Sequence, residues 1–347
     1  MTQVRWLALC TIVVFAASCA EPAADAASPA ASPAEPVRVG VLFDIGGRGD
    51  GGFNDGAVAG AERAIAAGGV DVEYAEAGDG TARAAILRTM AERRPDAIVA
   101  IGFLASHDAT IVAREFPDVH FTVIDYAVPL DAAGRAVQPP PNLAGVTFRE
   151  EEGAYLVGAI AALSSRSRTV GFVGGMDSPM IHRFEAGFAA GVHRVCERCV
   201  VQSRFVGTTP AAFNDAAAGR RVAHELFGAG ADVVFHAAGA TGLGVIAAAR
   251  EAGRYAIGVD VDQWEAAPGR VLTSMVKRID VAVAEAIARE RRGAFRPGMT
   301  SLGLAEGGVG YVFDANNARL LPAGARDHAE TLRAAVVAGL LSVPTVR

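Results

Sequence analysis

The sequence predicts an α/β protein of two Rossmann-like lobes with parallel sheets, and three observations carry that expectation. From Val37 onward, short apolar runs alternate with longer Ala-rich segments of helical period, the pattern of successive βα units. The apolar runs are too many for one comfortable sheet. A proline run, Pro139-Pro140-Pro141, breaks the alternation before a new helix begins and divides the chain there. With 347 residues, 51% of them hydrophobic and 20% charged, the chain has enough material for one large or two ordinary α/β cores.

The first element is a targeting segment. Arg5 supplies a positive charge, Trp6 to Ala17 form an apolar run, and small residues lead to Cys19. The run is too short to span a bilayer as a mature helix. Small residues followed by Cys resemble a lipobox, in which the Cys19 thiol is lipidated before cleavage, although Ala16 stands where Leu is usual. Ordinary signal cleavage is the alternative. The following Ala-, Pro- and Ser-rich stretch to Pro36 buries too little apolar surface to fold and reads as a tether. No later stretch approaches roughly 18 uninterrupted apolar residues, so no mature membrane span is expected.

The strands expected next are 37–44, 97–102, 121–125, 170–174, 233–237 and 256–260, with further extended segments near 72–75, 200–206 and 271–274. Between them, 56–67, 83–93, 153–163, 184–195, 219–227 and 245–251 have helical period, as does 281–292. The resulting division is a signal peptide at 1–18 and a lipidated Cys with tether at 19–36. The first lobe takes 37–146 plus about 264–298, the second 147–263 plus about 299–320, and a C-terminal helix and tail fill 321–347.

Composition and motifs exclude several functions. The net charge of -6, with acidic and basic residues interleaved, leaves no basic stripe for nucleic acid. No HxxxH, HExxH, GxSxG or P-loop is present, and neither a metal, a cofactor nor an enzymatic activity is expected. Cys196 and Cys199 form a lone CxxC after an amphipathic run. In an oxidising compartment a local disulfide is favoured over a metal or redox site, since one CxxC cannot close a tetrahedral zinc site.

Ligands of open α/β sheets bind beyond the carboxyl ends of the strands. Asp44, Asp125 and Asp260 end three of the expected strands. The loop from Ile45 to Asp55 has five glycines and ends in Phe53 and Asn54, where Asn54 or Asp55 is placed to cap the next helix and Phe53 either staples that helix or faces a ligand. Phe213, Asn214 and Asp215 repeat the pattern in the second lobe. Two phenylalanines on facing lobes would sandwich a flat ring, each face contributing on the order of 1 kcal/mol beyond burial. Asp260 and Lys277 offer a carboxylate and an ammonium to a sugar diol, or a salt bridge across the hinge. Ala237 to Gly244 bring small residues and backbone N–H groups to a helix start. His236 is a ligand-site residue or a pocket-wall histidine, and Glu150-Glu151-Glu152 read as a helix start at the lobe surface.

At this point the segments GVLFDIGGRGDGGFND (40–55), FREEEGAYLVGAIAAL (148–163), VGFVGGMDSPMIHRFEAGFAAGV (170–192), GADVVFHAAGATGLGVIAAAR (230–250), AIGVDVDQ (256–263) and VLTSMVKRID (271–280) resemble, in order, the basic membrane protein family. Its best-known type is the purine nucleoside receptor lipoprotein, a substrate-binding protein of ABC transporters. The resemblance implies a type I periplasmic binding protein-like fold, with two lobes closing on a ligand about a hinge crossed more than once. It implies a base held between Phe53 and Phe213, with Asp44, Asn54 and Asp125 as the acidic and amide partners of the nucleoside, Asp108 being the alternative to Asp125. Asp260 and Lys277 would hold the ribose, with Gly239 nearby. The expected partners are a nucleoside, an ABC permease and ATPase, and a membrane reached through lipid on Cys19; a monomer is expected. The family also contains members for other ligands, including a flavin and small signalling molecules. A receptor or sensor for another flat or sugar-like molecule is therefore the alternative function.

Overall fold

The computed structural model describes Met1 and residues 35–346. The signal segment, Cys19 and most of the tether lie outside the described residues. From Pro36 onward the chain forms one compact unit.

The first sheet is built from β1 (Val37–Phe43), β2 (Val70–Glu76), β3 (Ala97–Ile101), β4 (His120–Ile124) and β5 (Leu143–Phe148), completed by a later strand, β11 (Gly298–Leu302). Its order is β11-β5-β4-β3-β1-β2, and every pairing is parallel. The second sheet holds β6 (Thr169–Met176), β7 (Val200–Gly207), β8 (Val233–Ala237), β9 (Tyr255–Asp260), β10 (Val271–Lys277) and β12 (Val309–Tyr311). Its order, β12-β10-β9-β8-β6-β7, repeats that of the first, with only β12 antiparallel.

Both faces of each sheet are covered, so the inner strands are apolar on both sides. In β1, Val39, Val41 and Phe43 pack toward α1 (Phe53–Ala66) and α8 (Ile279–Arg291), while Leu42 joins the core under α2 (Arg83–Glu92) and α3 (Ser106–Glu115). In the second lobe, Phe172 and Phe235 face α4 (Glu150–Ser164) and α5 (Pro179–Val195). Val173 and Val234 face α6 (Ala216–Gly228) and α7 (Thr241–Glu251). Helices α4 and α5 touch almost backbone to backbone: a Cβ on Gly158, Gly187 or Gly191 would lie 2.2, 2.2 or 2.0 Å from a carbonyl oxygen of the other helix. The last helix, α9 (Ala325–Val337), packs on α4. Cys196 and Cys199, just beyond α5, are joined by a disulfide.

Three crossovers link the lobes: β5 to α4, β10 to α8, and β11 to β12. They are bonded to one another. Arg149 N donates to Leu302 O at 2.9 Å and Arg278 N to Gly308 O at 2.8 Å. The Arg149 guanidinium pairs with Glu152 at 2.6 Å and with Glu306. The crossovers do not fall where the sequence places them. Segment 264–298 was expected wholly in the first lobe, yet β10 is an interior strand of the second sheet, so the chain returns to the first only with α8. It stays there through β11 before β12 re-enters the second lobe. Strands β5, β11 and β12 were also unexpected, as was α3. The first follows directly on the proline run, the second is a mostly exposed edge of sequence GMTSL, the third is three residues long, and α3 is rich in polar residues.

Candidate functional site

The carboxyl ends of the two sheets face each other across a cavity. From the first lobe it is walled by Asp44 and Ile45 after β1, Asp50 and Phe53 around the start of α1, Phe103 after β3 and Asp125 after β4. From the second come the turn Ala237-Ala238-Gly239, Val259 and Asp260 on β9, Lys277 at the end of β10, and Met180, Ile181 and Phe184 on α5, with Phe213 beside them. Of the residues the sequence singles out for the ligand, Asp44, Phe53, Asp125, Phe213, Gly239, Asp260 and Lys277 come together here. Asn54 does not.

Asn54 is 1% exposed and its amide is consumed by the loop. Its Oδ1 accepts from Asp44 N at 2.9 Å, and its Nδ2 donates to Asp50 Oδ2 at 3.0 Å. It positions Asp44 and does not face the cavity. Nor does it cap the helix: Gly52 holds the cap position, and the carboxylate of Asp50, two residues earlier, accepts from the N–H groups of Gly52, Asn54 and Asp55 at 2.9, 2.9 and 3.2 Å. Asp55 reaches back to Gly49 N and Gly51 N, so two carboxylates hold the glycine-rich loop from both ends.

Asp44 accepts from Ile45 N at 2.8 Å and lies 3.6 Å from the buried Arg83 guanidinium, which also approaches Asp108 at 3.6 Å. Asp108 is therefore behind the wall, and Asp125 is the one of the two that lines the cavity. Gly102 leaves room for the Asp44 carboxylate: its φ is +94°, and a Cβ there would lie 1.9 Å from Asp44 Oδ2. Burial pushes the Asp44 carboxyl up to about 7 despite the Ile45 hydrogen bond and Arg83.

Lys277 Nζ sits 2.6 Å from Asp125 Oδ2 and 3.2 Å from Glu150 Oε1, all three groups buried. The rings of Phe53, Phe148 and Phe184 surround the ammonium at 5.4, 5.0 and 5.7 Å. Lys277 thus pairs with Asp125 across the lobes, while Asp260 makes no direct salt bridge to it. Burial alone would lower the Lys277 amine, but Asp125, Glu150 and Asp260 together hold it above its ordinary value. Glu150 is not the lobe surface expected of it. It is fully buried, between Lys277 and Arg183 Nη2 at 3.0 Å, because the start of α4 lies at a crossover, covered by α5 and β10.

Asp260 is 7% exposed, and burial pushes its carboxyl up to about 7, with Lys277 opposing and Asp125 reinforcing the shift. No hydrogen bond to its carboxylate occurs among the described residues. Phe213 closes a short 3-10 turn (Pro210–Phe213), rests against Gly175, and meets Phe103 edge-on at 6.2 Å and 80°. His236 is fully buried behind the wall, its Nε2 2.9 Å from Gln263 Oε1, and burial takes its ring down to about 4. His182 pairs with Asp177 and Glu185, and His224 with Glu251.

Sequence reasoning missed Asp50, Phe103 and the α5 wall. Phe103 follows β3 with only Gly102 between them, one residue beyond the position that singles out Asp44 and Asp125. Asp50 was hidden among glycines, and α5 begins at Pro179, not Phe184, with Ser178-Pro179 as the start signal.

Residues 37–332 match the model of the Bmp family, described as ABC transporter substrate-binding protein PnrA-like. An uncharacterized lipoprotein of Pyrococcus furiosus is 36% identical over 287 residues, 80% of this chain and 70% of the relative. The CD4+ T-cell-stimulating antigen of Listeria monocytogenes is 31% identical, over 90% of both chains. A crystal structure of an ABC transporter solute-binding protein from Aeropyrum pernix superposes with a TM-score of 0.79 at 30% identity, covering 90% of this chain and 94% of that one. With two lobes, three crossovers and a cavity at facing strand ends, the chain belongs to the Bmp family of PnrA-like ABC transporter substrate-binding proteins.

Proposed function

We propose that the cleft captures a purine nucleoside and presents it to the permease and ATPase of an ABC importer, the protein acting as a monomer held to the membrane by lipid on Cys19. One observation carries the nucleoside reading: a phenylalanine from each lobe, Phe53 and Phe213, lines the same cavity as Asp260, whose buried carboxylate has no donor among the described residues. Aromatic faces suit a base, and an unengaged carboxylate suits a ribose diol. The wall also sets Asp44, Asp50, Asp125 and Asp260 against Lys277, which favours a neutral ligand over a phosphorylated one. Export and anchoring are supported by relatives named as lipoproteins and by one named basic membrane protein A in Borreliella burgdorferi.

The test is mass spectrometry on protein purified without added nucleoside, followed by calorimetry with guanosine, inosine, adenosine and ribose. A nucleoside should bind with a Kd of about 1 μM or tighter, roughly -8 kcal/mol, and ribose should not. Heat from a flavin or a sugar and none from any nucleoside would overturn the reading.

A further inference from the structure

We propose that Gln263 is a latch that holds the two lobes shut, and that His236 is the residue that positions it. The proposal rests on the reading of the cleft as a solute site and adds a residue that lies outside the cavity wall. Gln263 follows β9 in the second lobe and is 4% exposed. Its Nε2 donates to Gly51 O at 2.9 Å, on the glycine-rich loop of the first lobe.

The direction of that amide is forced. Val259 N, which can only donate, lies 2.9 Å from Gln263 Oε1, so the oxygen must face β9 and the nitrogen must face the other lobe. His236 Nε2 then meets the same oxygen at 2.9 Å and must carry a proton, which fixes the neutral tautomer with a bare Nδ1. The ring has one place to sit, since a Cβ on Gly242 would fall 1.9 Å from its Cε1. On the far side Gly51 is equally held: the Gly52 N–H of the accepting peptide donates to Asp50 Oδ1 at 2.9 Å, the Gly51 N–H donates to Asp55 Oδ2 at 2.9 Å, and Leu243 of the second lobe packs against it. A rigid donor and a rigid acceptor, one on each lobe, form a bond that exists only when the lobes are together. Such a bond slows release of the solute and leaves its entry alone.

The experiment compares the wild-type chain with Gln263→Glu, His236→Met and His236→Gln, using stopped-flow binding of guanosine and a donor–acceptor dye pair at the exposed Asp79 and Thr208, beyond the edge strands β2 and β7. Gln263→Glu, compared at about pH 8.5 so that the carboxyl is ionised and has no O–H to donate, keeps the acceptor for Val259 and His236 and removes the donor to Gly51. It should speed guanosine dissociation about five- to tenfold, the equivalent of one hydrogen bond, with association changed less than about twofold. The dye pair should report more open molecules. His236→Met should move dissociation in the same direction by less, and His236→Gln, which restores an N–H donor, should recover much of the loss. Unchanged dissociation in Gln263→Glu, or an effect confined to association, would overturn the proposal. If guanosine does not bind the wild-type chain, the nucleoside reading fails and the latch is judged on the dyes alone. More open molecules in ligand-free Gln263→Glu than in wild type then support it, and equal populations overturn it.

Discussion

Asp125 and Asp260 occupy the same place in the two lobes. Each ends the third strand in its sheet's order, β4 in the first and β9 in the second, and each has a left-handed backbone, with φ of +63° and +69°. That conformation costs a non-glycine residue about 1 kcal/mol, and Asp tolerates it better than most. Both are buried. They differ in what they hold. Asp125 is bonded to Lys277 across the cleft at 2.6 Å, whereas the Asp260 carboxylate accepts nothing from the described residues. One backbone device therefore serves twice, once to tie the lobes together and once, in the reading proposed above, to meet the solute.

The largest effect that tests this contrast is on stability. Lys277→Met would leave Asp125 buried without its cation and Glu150 with Arg183 alone, and breaking a buried pair from one side costs about 3 to 5 kcal/mol. Denaturant unfolding of the ligand-free protein should show that loss, and Asp260→Asn should show none of comparable size. A Lys277→Met protein within about 1 kcal/mol of wild type would mean that the ammonium is not what holds Asp125, and the distinction between the two aspartates would fail.

The next effect is on affinity. Asp260→Ala should weaken a ribonucleoside by about 2 kcal/mol, since hydroxyls desolvated on closure would lose their acceptor, and should weaken the 2′-deoxynucleoside less. Calorimetric titration of guanosine and deoxyguanosine reads the difference. Equal losses for both sugars would place Asp260 among the structural residues, beside Asp125.

The aspartates also show how far the sequence carries. Strand-end position was enough to find Asp44, Asp125 and Asp260, because an apolar run followed by Asp marks a carboxyl end whatever the partners. Which of them is engaged was not legible. The partner of Asp125 lies 152 residues away, and Glu150 looks like any acidic helix start until α5 and β10 cover it. Asn54 misled for a local reason: an amide beside Phe53 in a glycine-rich loop reads as a ligand group, but four residues earlier Asp50 needed its donor. The interior strands other than β5 were found from their apolar runs. The edges β11 and β12 were not, because an exposed or three-residue strand has no run to find.

A smaller loss is expected at the aromatic walls. Phe53→Ala and Phe213→Ala should each cost a nucleoside about 1 to 2 kcal/mol, the contribution of one stacking face. Neither should change the preference for ribose over deoxyribose, which isolates them from Asp260. Titrations in which neither phenylalanine matters would move the base out of the space between them and make Phe53 a staple for α1.

The smallest effect is a pH dependence with opposite signs in the empty and loaded protein. Burial holds the Asp260 carboxyl at about 7 against an ordinary value of 3.8, so the folded, empty protein keeps a proton that the unfolded chain has released. The stability this confers is complete below the unfolded value and is lost as pH rises through the folded one. A solute that donates hydroxyl hydrogens needs the ionised carboxylate and must displace that proton below pH 7. Affinity should therefore rise with pH while the stability of the empty protein falls, and guanosine should bind about tenfold more weakly at pH 6 than on the plateau above pH 8, one pH unit below the pKa being worth about 1.4 kcal/mol. Asp44, also held at about 7, contributes the part of the slope that survives in Asp260→Asn. Affinity that is flat from pH 6 to 8 in the wild-type chain would show that the Asp260 proton is not displaced by the solute, and that the two aspartates differ in their protein partners alone.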